Sequence, residues 1–197
     1  MSSFLRLRRS ALALVLLATL ACGGGAPSQA QDRDSDDVSS APAPPTLATA
    51  TALGVANAHE PTAGLLTAGQ LTEEQMAALA EAGYTTFISL RAPEESGAGW
   101  EEAYAAQHGL AFTRLSIAGA GDLSQENVTA LDAILDAANG PTVLYCGSAN
   151  RVGAMLALRA NWLDGIDAAQ ALDFGKAAGM TRLEPAVVQL LGLGGAS

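Results

Sequence analysis

Apolar positions along this chain change their period several times, and the changes mark its elements. Thr72-Glu73-Glu74-Gln75 has the form of a capping box, and the Ala-rich stretch behind it reads as a helix ending at Gly83. Tyr84 to Leu90 is β-branched and aromatic, the signature of a buried strand. Residues 92–99 form a loop rich in Gly, Glu and Ala. Trp100 to Gln107 is a short helix with Trp100 and Tyr104 four residues apart, closed by Gly109, and Leu110 to Leu115 is the next strand. After a second loop from Ile117 to Leu123, Ser124 is placed to cap a helix. Its Val128, Leu131, Ile134, Leu135 and Ala138 recur at three- and four-residue spacing, one apolar stripe. Asn139-Gly140-Pro141 ends that helix, and Thr142 to Tyr145 is a short strand. A helix begins at Arg151 or Val152 and runs to Trp162. Two more follow, near Ala168–Ala178 and from Pro185 to Leu191, with proline at the first helical position of the last. Leu53–Ala56 and Leu65–Ala68 are short apolar runs that read as edge strands. Alternating strands and helices predict an α/β fold, a central parallel or mixed sheet flanked by helices on both faces. Such sheets bind ligands where strand ends feed helix starts.

The pattern stops before residue 51. Residues 1–21 carry Arg6, Arg8 and Arg9, then the apolar run Ala11–Leu20, then a small-residue exit. That run is about ten residues, against the roughly 20 that span a bilayer, so it predicts a cleaved export signal rather than a transmembrane helix. Thr19-Leu20-Ala21-Cys22 resembles a bacterial lipobox, with Thr19 where Leu is more usual. The resemblance implies that Cys22 is lipidated and tethers an exported protein to a membrane of the cell envelope, on the periplasmic side in a Gram-negative cell. Plain secretion, with cleavage elsewhere, is the alternative. From residue 22 to 50, Gly23-Gly24-Gly25, the acids Asp32, Asp34, Asp36 and Asp37, and Ala41-Pro42-Ala43-Pro44-Pro45 show no apolar periodicity. They predict a disordered tether, which leaves residues 51–197 as one domain.

Composition narrows the function. Apolar residues are 49% of the chain but aromatics only 5%, so Ala, Leu and Val must fill the core. Acids outnumber bases 20 to 10, and removal of the leader, which holds three bases and no acid, leaves a net charge of −13. Such a surface repels phosphate backbones and disfavours nucleic-acid binding. Two cysteines make no disulfide framework and two histidines no histidine-rich metal cage. No Walker loop, dinucleotide fingerprint or metal-ligand spacing is present, so neither a cofactor nor a metal is predicted. His59 and His108 carry no expected chemistry.

The chemistry concentrates in Cys146-Gly147-Ser148-Ala149-Asn150-Arg151, which joins the strand Thr142–Tyr145 to a helix. Small side chains let successive backbone amides turn inward as an anion cradle, and the helix start adds its positive end. Arg151 supplies a planar fork for two oxyanion atoms. A cysteine in that field is a nucleophile aimed at whatever the loop holds. The plain alternative is a buried, inert thiol at a strand end.

Three segments carry a resemblance. They are Ala68-Gly69-Gln70-Leu71-Thr72, Gly83-Tyr84-Thr85-Thr86-Phe87-Ile88-Ser89-Leu90-Arg91, and the Cys146–Arg151 loop with Val152-Gly153-Ala154. Together they resemble the phosphatase-like domain of the bacterial beta-lactamase hydrolase-like proteins, related to tyrosine and dual-specificity phosphatases. The likeness spans about residues 53–180. It implies a three-layer cysteine-dependent phosphatase fold with Cys146 as nucleophile and Arg151 as phosphate clamp. The implied substrate is a phosphorylated protein or a small phosphate ester. Four residues separate Cys146 from Arg151 where tyrosine phosphatases have five, and Tyr145 stands where they have histidine. Ala149 replaces a common glycine and would be strained at positive φ. Val152 replaces a frequent hydroxyl residue. The four-residue spacing also resembles rhodanese loops, so sulfur transfer through a persulfide is one alternative, and a catalytically weak anion-binding module is another. Asp122, on the Gly-rich loop 24 residues before Cys146, is the expected general acid, with Glu94 and Glu95 as competitors; a helix-capping role is the plain reading of Asp122. Arg91 is expected to orient one of these glutamates or to bind substrate, with a structural salt bridge as the plain alternative.

Overall fold

The computed structural model describes residues 45–194; the expected signal segment, Cys22 and most of the expected tether lie outside the described residues. The described chain is ordered from before residue 51. Helix α1 spans Leu47–Ala52 and buries Ala50, a correction to the expected tether end at residue 50. The expected strand Leu53–Ala56 is instead the turn that leaves this helix. The first strand, β1, is His59–Thr62, and β2 is Leu65–Ala68, as expected. Polar β1 escapes an apolar-run search because it lies at the sheet margin, where Pro61 costs no central ladder bond.

The rest follows the sequence pattern closely. Helix α2 covers Glu73–Glu81, its capping box formed by reciprocal bonds between Thr72 and Gln75 of 3.1 and 3.2 Å. Strand β3 is Thr86–Ser89. Helix α3 is Glu101–His108, ended by Gly109 in the left-handed region. Strand β4 is Ala111–Arg114, and a 3-10 turn at Ala120–Asp122 interrupts the next loop. Helix α4 is Gln125–Ala137, with Ser124 accepting from Asn127 N, and β5 is Thr142–Tyr145. Helices α5, α6 and α7 are Asn150–Trp162, Ala168–Ala177 and Glu184–Leu190. Among the described residues, no helix is long and apolar enough to cross a membrane.

The five strands are ordered β1-β2-β5-β3-β4. β2, β5, β3 and β4 are parallel neighbours, and β1 joins β2 antiparallel, so the sheet is mixed. Successive strand residues face opposite ways. Phe87, Val143 and Tyr145 therefore join Met76, Leu79 and Ala50 on one face, beneath α1 and α2. Ile88, Leu144 and Cys146 join Leu131, Met155, Leu156 and Val187 on the other, beneath α4, α5 and α7. Central β5 is buried throughout and points its carboxyl end at α5.

Close helix packing fixes α5. A Cβ on Gly153 would lie 2.3 Å from Met180 N and 2.4 Å from Gly175 O. Only glycine lets α5 and α6 approach this closely.

Candidate active site

Strand alternation puts Cys146 on the α5 side of the sheet and Tyr145 on the opposite side. Cys146 N donates to Ala68 O at 3.2 Å, and one step further Gln70 N donates to Gly147 O at 3.3 Å. The segment after β2 thus supports the loop from behind. A Cβ on Gly69 would lie 2.9 Å from Ala56 O and 3.3 Å from Gly147 O, so this support needs glycine.

Ala149 turns the loop into α5 with φ 61° and ψ −10°, the left-handed conformation. Such a conformation costs an L residue about 1–2 kcal/mol and is held here by its surroundings. Ala149 is fully buried, and a Cβ on Gly179 would come within 2.5 Å of its methyl. The strain foreseen for a non-glycine at this position is therefore present.

Beyond that turn the backbone donors are free. Among the described residues, no protein group accepts from the amides of Gly147, Ser148, Asn150, Arg151 or Val152. Gly153 N is the first in the helix to find a partner, Ala149 O at 2.9 Å. The first amides of any helix lack an internal acceptor, and their partial positive charges sum into an anion-binding end. Gly147 and Ser148 of the loop and Asn150 and Arg151 of the helix start all line one cleft, where such amides can act together on an anion.

Arg151 is fixed rather than free. Its Nη1 donates to Glu95 Oε1 at 2.6 Å and to Ile117 O at 2.7 Å, and Nη2 donates to Glu95 Oε2 at 2.8 Å. The bond from Arg151 holds the Glu95 carboxyl down at about 2 from an ordinary 4.5. The same bond raises the arginine further above its ordinary value, with a smaller contribution from the Cys146 sulfur. Glu95 also accepts from Ala92 N at 2.9 Å and from Arg91 Nε at 3.4 Å. Arg91 in turn donates to Ser96 O at 2.6 Å and Gly97 O at 3.1 Å, and lies 3.7 Å from Glu101. Arg91 is therefore a buried salt-bridge partner that also steadies Glu95, and it does not line the cleft, so the substrate-binding reading is not met.

Behind this layer, Glu101 is wholly buried and 3.0 Å from Arg114. Burial raises its carboxyl pKa despite that arginine. Tyr145 is equally buried, with no hydrogen-bond partner for its hydroxyl, and burial raises its pKa too.

Asn150 locks the other side. Its Oδ1 accepts from Thr181 N at 2.8 Å, Thr181 Oγ1 at 3.2 Å and Leu183 N at 3.1 Å. One amide side chain thereby docks the segment before α7 onto the loop.

These pieces bound a cleft of about 670 Å³, lined by Ala92, Glu95, Ala118, Gly119, Gly147, Ser148, Asn150, Arg151, Arg182 and Leu183. Cys146, at the head of the loop, does not line it, and none of its surface is exposed. Asp122 does not line it. Its Oδ2 accepts from Ala118 N at 2.6 Å, and its carbonyl accepts from Asn127 Nδ2 at 2.8 Å, so it closes its own loop. Glu94 is exposed and also outside the cleft, and His108 stacks on Tyr104 at 4.2 Å. A separate groove of about 540 Å³, near Thr85, Thr86, Ile134 and Asn139, opens at the amino end of β3 and is lined by no ionisable side chain. Among the described residues, no group of acids, histidines and cysteine could hold a metal ion.

The structure thus gathers Gly147 to Arg151 above Cys146 and leaves Asp122 aside. It adds Glu95 as the partner of Arg151, and Arg182, which no local motif marks.

Similar architectures occur among solved structures. TpbA of P. aeruginosa superposes with a TM-score of 0.55 at 19% identity, over 73% of this chain and 87% of that one. A TpbA variant in complex with phosphotyrosine gives 0.51, also at 19%, over 70% and 91%. A Neisseria meningitidis protein provisionally named a phosphatase gives 0.56 at 18%, over 66% and 96%. At such identities the likeness establishes the fold, that of cysteine-dependent phosphatases. No curated protein sequence matches. The phosphatase-like domain of the beta-lactamase hydrolase-like proteins matches residues 57–161, over half of the sequence and including the whole Cys146–Arg151 loop, and the chain belongs to that family.

Proposed function

We propose that this chain hydrolyses phosphate monoesters through a phosphocysteine intermediate. The observation that carries this reading is the set of five amides following Cys146 that no described protein group claims, beside a guanidinium held by Glu95. A phosphate dianion seated on the cradle would present phosphorus to the sulfur below. The Cys146 thiolate forms the S–P bond as the ester P–O bond breaks, and the leaving oxygen takes a proton. Water then attacks phosphorus, releasing inorganic phosphate and returning the thiolate. The fixed amides and Arg151 stabilise charge on the equatorial oxygens during both steps. The burial of Cys146 means that the loop must admit the phosphate by a small outward adjustment of Gly147 or Ser148.

Asp122 is the proposed proton donor. The position of its loop supports this, since Ala118 and Gly119 border the cleft. Its carboxylate must first release Ala118 N. Glu95 is the weaker candidate, because a carboxyl held near 2 carries almost no proton at neutral pH. The substrate is a phosphorylated protein or a small phosphate ester.

The N-terminal pattern supports export and anchoring through lipidated Cys22. Incorporation of labelled fatty acid by the full chain, lost in Cys22→Ala, is the expected result. For the activity, the test is hydrolysis of 4-nitrophenyl phosphate by wild type, Cys146→Ser and Arg151→Ala. Turnover by wild type alone is expected; equal rates in all three would overturn the proposal. Thiocyanate formed from thiosulfate and cyanide, with a persulfide on Cys146, would favour sulfur transfer instead.

A further inference from the structure

Charge pairing across the described residues leaves one cation over. Arg91 and Arg151 are tied to Glu95, Arg114 to Glu101 and Glu102, Arg159 to Asp132 and Asp164, and Lys176 to Glu184. Among the described residues Arg182 alone of the arginines and lysines has no carboxylate partner. Glu184, two positions along, is drawn off by Lys176 at 2.7 Å. In a chain with twice as many acids as bases, an unpaired arginine is unexpected on composition.

Its position is set by the loop itself. Thr181 N and Leu183 N, the amides on either side of Arg182, both donate to Asn150 Oδ1. Asn150 precedes Arg151, so the backbone of Arg182 is anchored to the residue before the proposed phosphate clamp. The exposed Arg182 side chain lines the cleft beside the Cys146–Arg151 loop and also an adjoining hollow of about 640 Å³ bordered by Pro185, Val188, Gln189 and the Lys176-paired Glu184. It stands on the divide between the two.

The charge of Arg151 is already matched by Glu95 at 2.6 and 2.8 Å. The unmatched positive charge at this mouth is Arg182. An uncompensated guanidinium recognises a carboxylate or phosphate by a forked, charge-assisted pair.

We infer that Arg182 is a specificity-determining residue that selects phosphate monoesters carrying a second anionic group on the leaving-group side, with the rest of the substrate extending over the hollow beside α7. The inference rests on the phosphatase reading above and names its substrate class.

The experiment compares kcat/KM for phenyl phosphate and 4-carboxyphenyl phosphate. A second arm compares phosphotyrosine peptides with Ala or Asp neighbours. Wild type, Arg182→Ala, Arg182→Lys and Arg182→Glu are measured, each checked for an unchanged thermal midpoint. Arg182→Ala is expected to lower kcat/KM on all substrates, and to cut the ratio favouring the doubly anionic member about five- to tenfold, mainly through KM. Arg182→Lys should restore most of the ratio and Arg182→Glu should lower it further. A ratio that falls only for the peptides assigns the second anion to a polypeptide, and one that falls only for the aryl esters assigns it to a small molecule. A ratio unchanged in both arms, while wild type still hydrolyses phenyl phosphate, overturns the role of Arg182 and leaves the phosphatase reading standing. No turnover of any substrate by wild type overturns both.

Discussion

Two loops leave the carboxyl ends of parallel strands on the same side of the sheet, and they are built oppositely. The one after β5, Cys146–Arg151, spends its side-chain and carbonyl bonds on holding shape and leaves its amides unclaimed. The one after β4, Ile117–Asp122, closes on itself, with the Asp122 carboxylate on Ala118 N at 2.6 Å. The first keeps its donors unclaimed, so an entering anion displaces no protein acceptor, although the buried sulfur is reached only after a small shift of Gly147 or Ser148. The second has its one acid occupied, so any chemical use of that acid requires a bond to break first.

Variants that strike the first loop should have the largest effect. Cys146→Ser is expected to lower kcat on an aryl phosphate at least about 10³-fold, because nothing else supplies the nucleophile. Arg151→Ala should lower it about 10²–10³-fold, the usual cost of one preorganised charge donor, and it leaves Glu95 with only Arg91 and Ala92 N as partners. For the second loop, Asp122→Asn is expected to lower kcat about 10²-fold with phenyl phosphate. It should matter less with 4-nitrophenyl phosphate, whose leaving group needs little proton help. Equal effects on the two esters would return Asp122 to a purely capping role.

Gly153→Ala drives a methyl into Met180 N and Gly175 O, and should destabilise the domain by about 1–3 kcal/mol in urea titrations by prying α6 from α5. A smaller and pH-dependent effect belongs to Glu95. Its folded pKa, about 2, lies below its ordinary 4.5, so folding favours the ionised form. The pair with Arg151 therefore contributes stability in full above about 4.5, and that contribution is lost as pH falls towards 2. Wild type should exceed Glu95→Gln in urea midpoint near neutral pH, and the two should converge in acid.

Much of this was legible in sequence because it is local. The capping box at Thr72, the Ser124 cap and the run from Thr142 to Asn150 are all settled by neighbours a few residues apart. Cys146 and the loop behind it could be found for the same reason. Strand β1 could not, because His59-Glu60-Pro61-Thr62 has no apolar pattern and owes its form to pairing with β2. Helix α1 was hidden behind a Pro-rich run, although Ala50 is buried in the same cluster as Met76 and Leu79. The pairing of Glu95 with Arg151 spans 56 positions, and that of Asn150 with Thr181 spans 31; sequence spacing says nothing about either. Arg182 was missed for the same reason, since its distinction is the absence of a partner that only a fold can reveal.

In the proposed reaction the Cys146 sulfur takes up the phosphoryl group. The most direct measurement is rapid acid quench of the full chain during turnover of 4-nitrophenyl phosphate, followed by peptide mass spectrometry. One phosphoryl group on the peptide containing Cys146, absent from Cys146→Ser, is the predicted result. Steady turnover with that peptide never modified would contradict it.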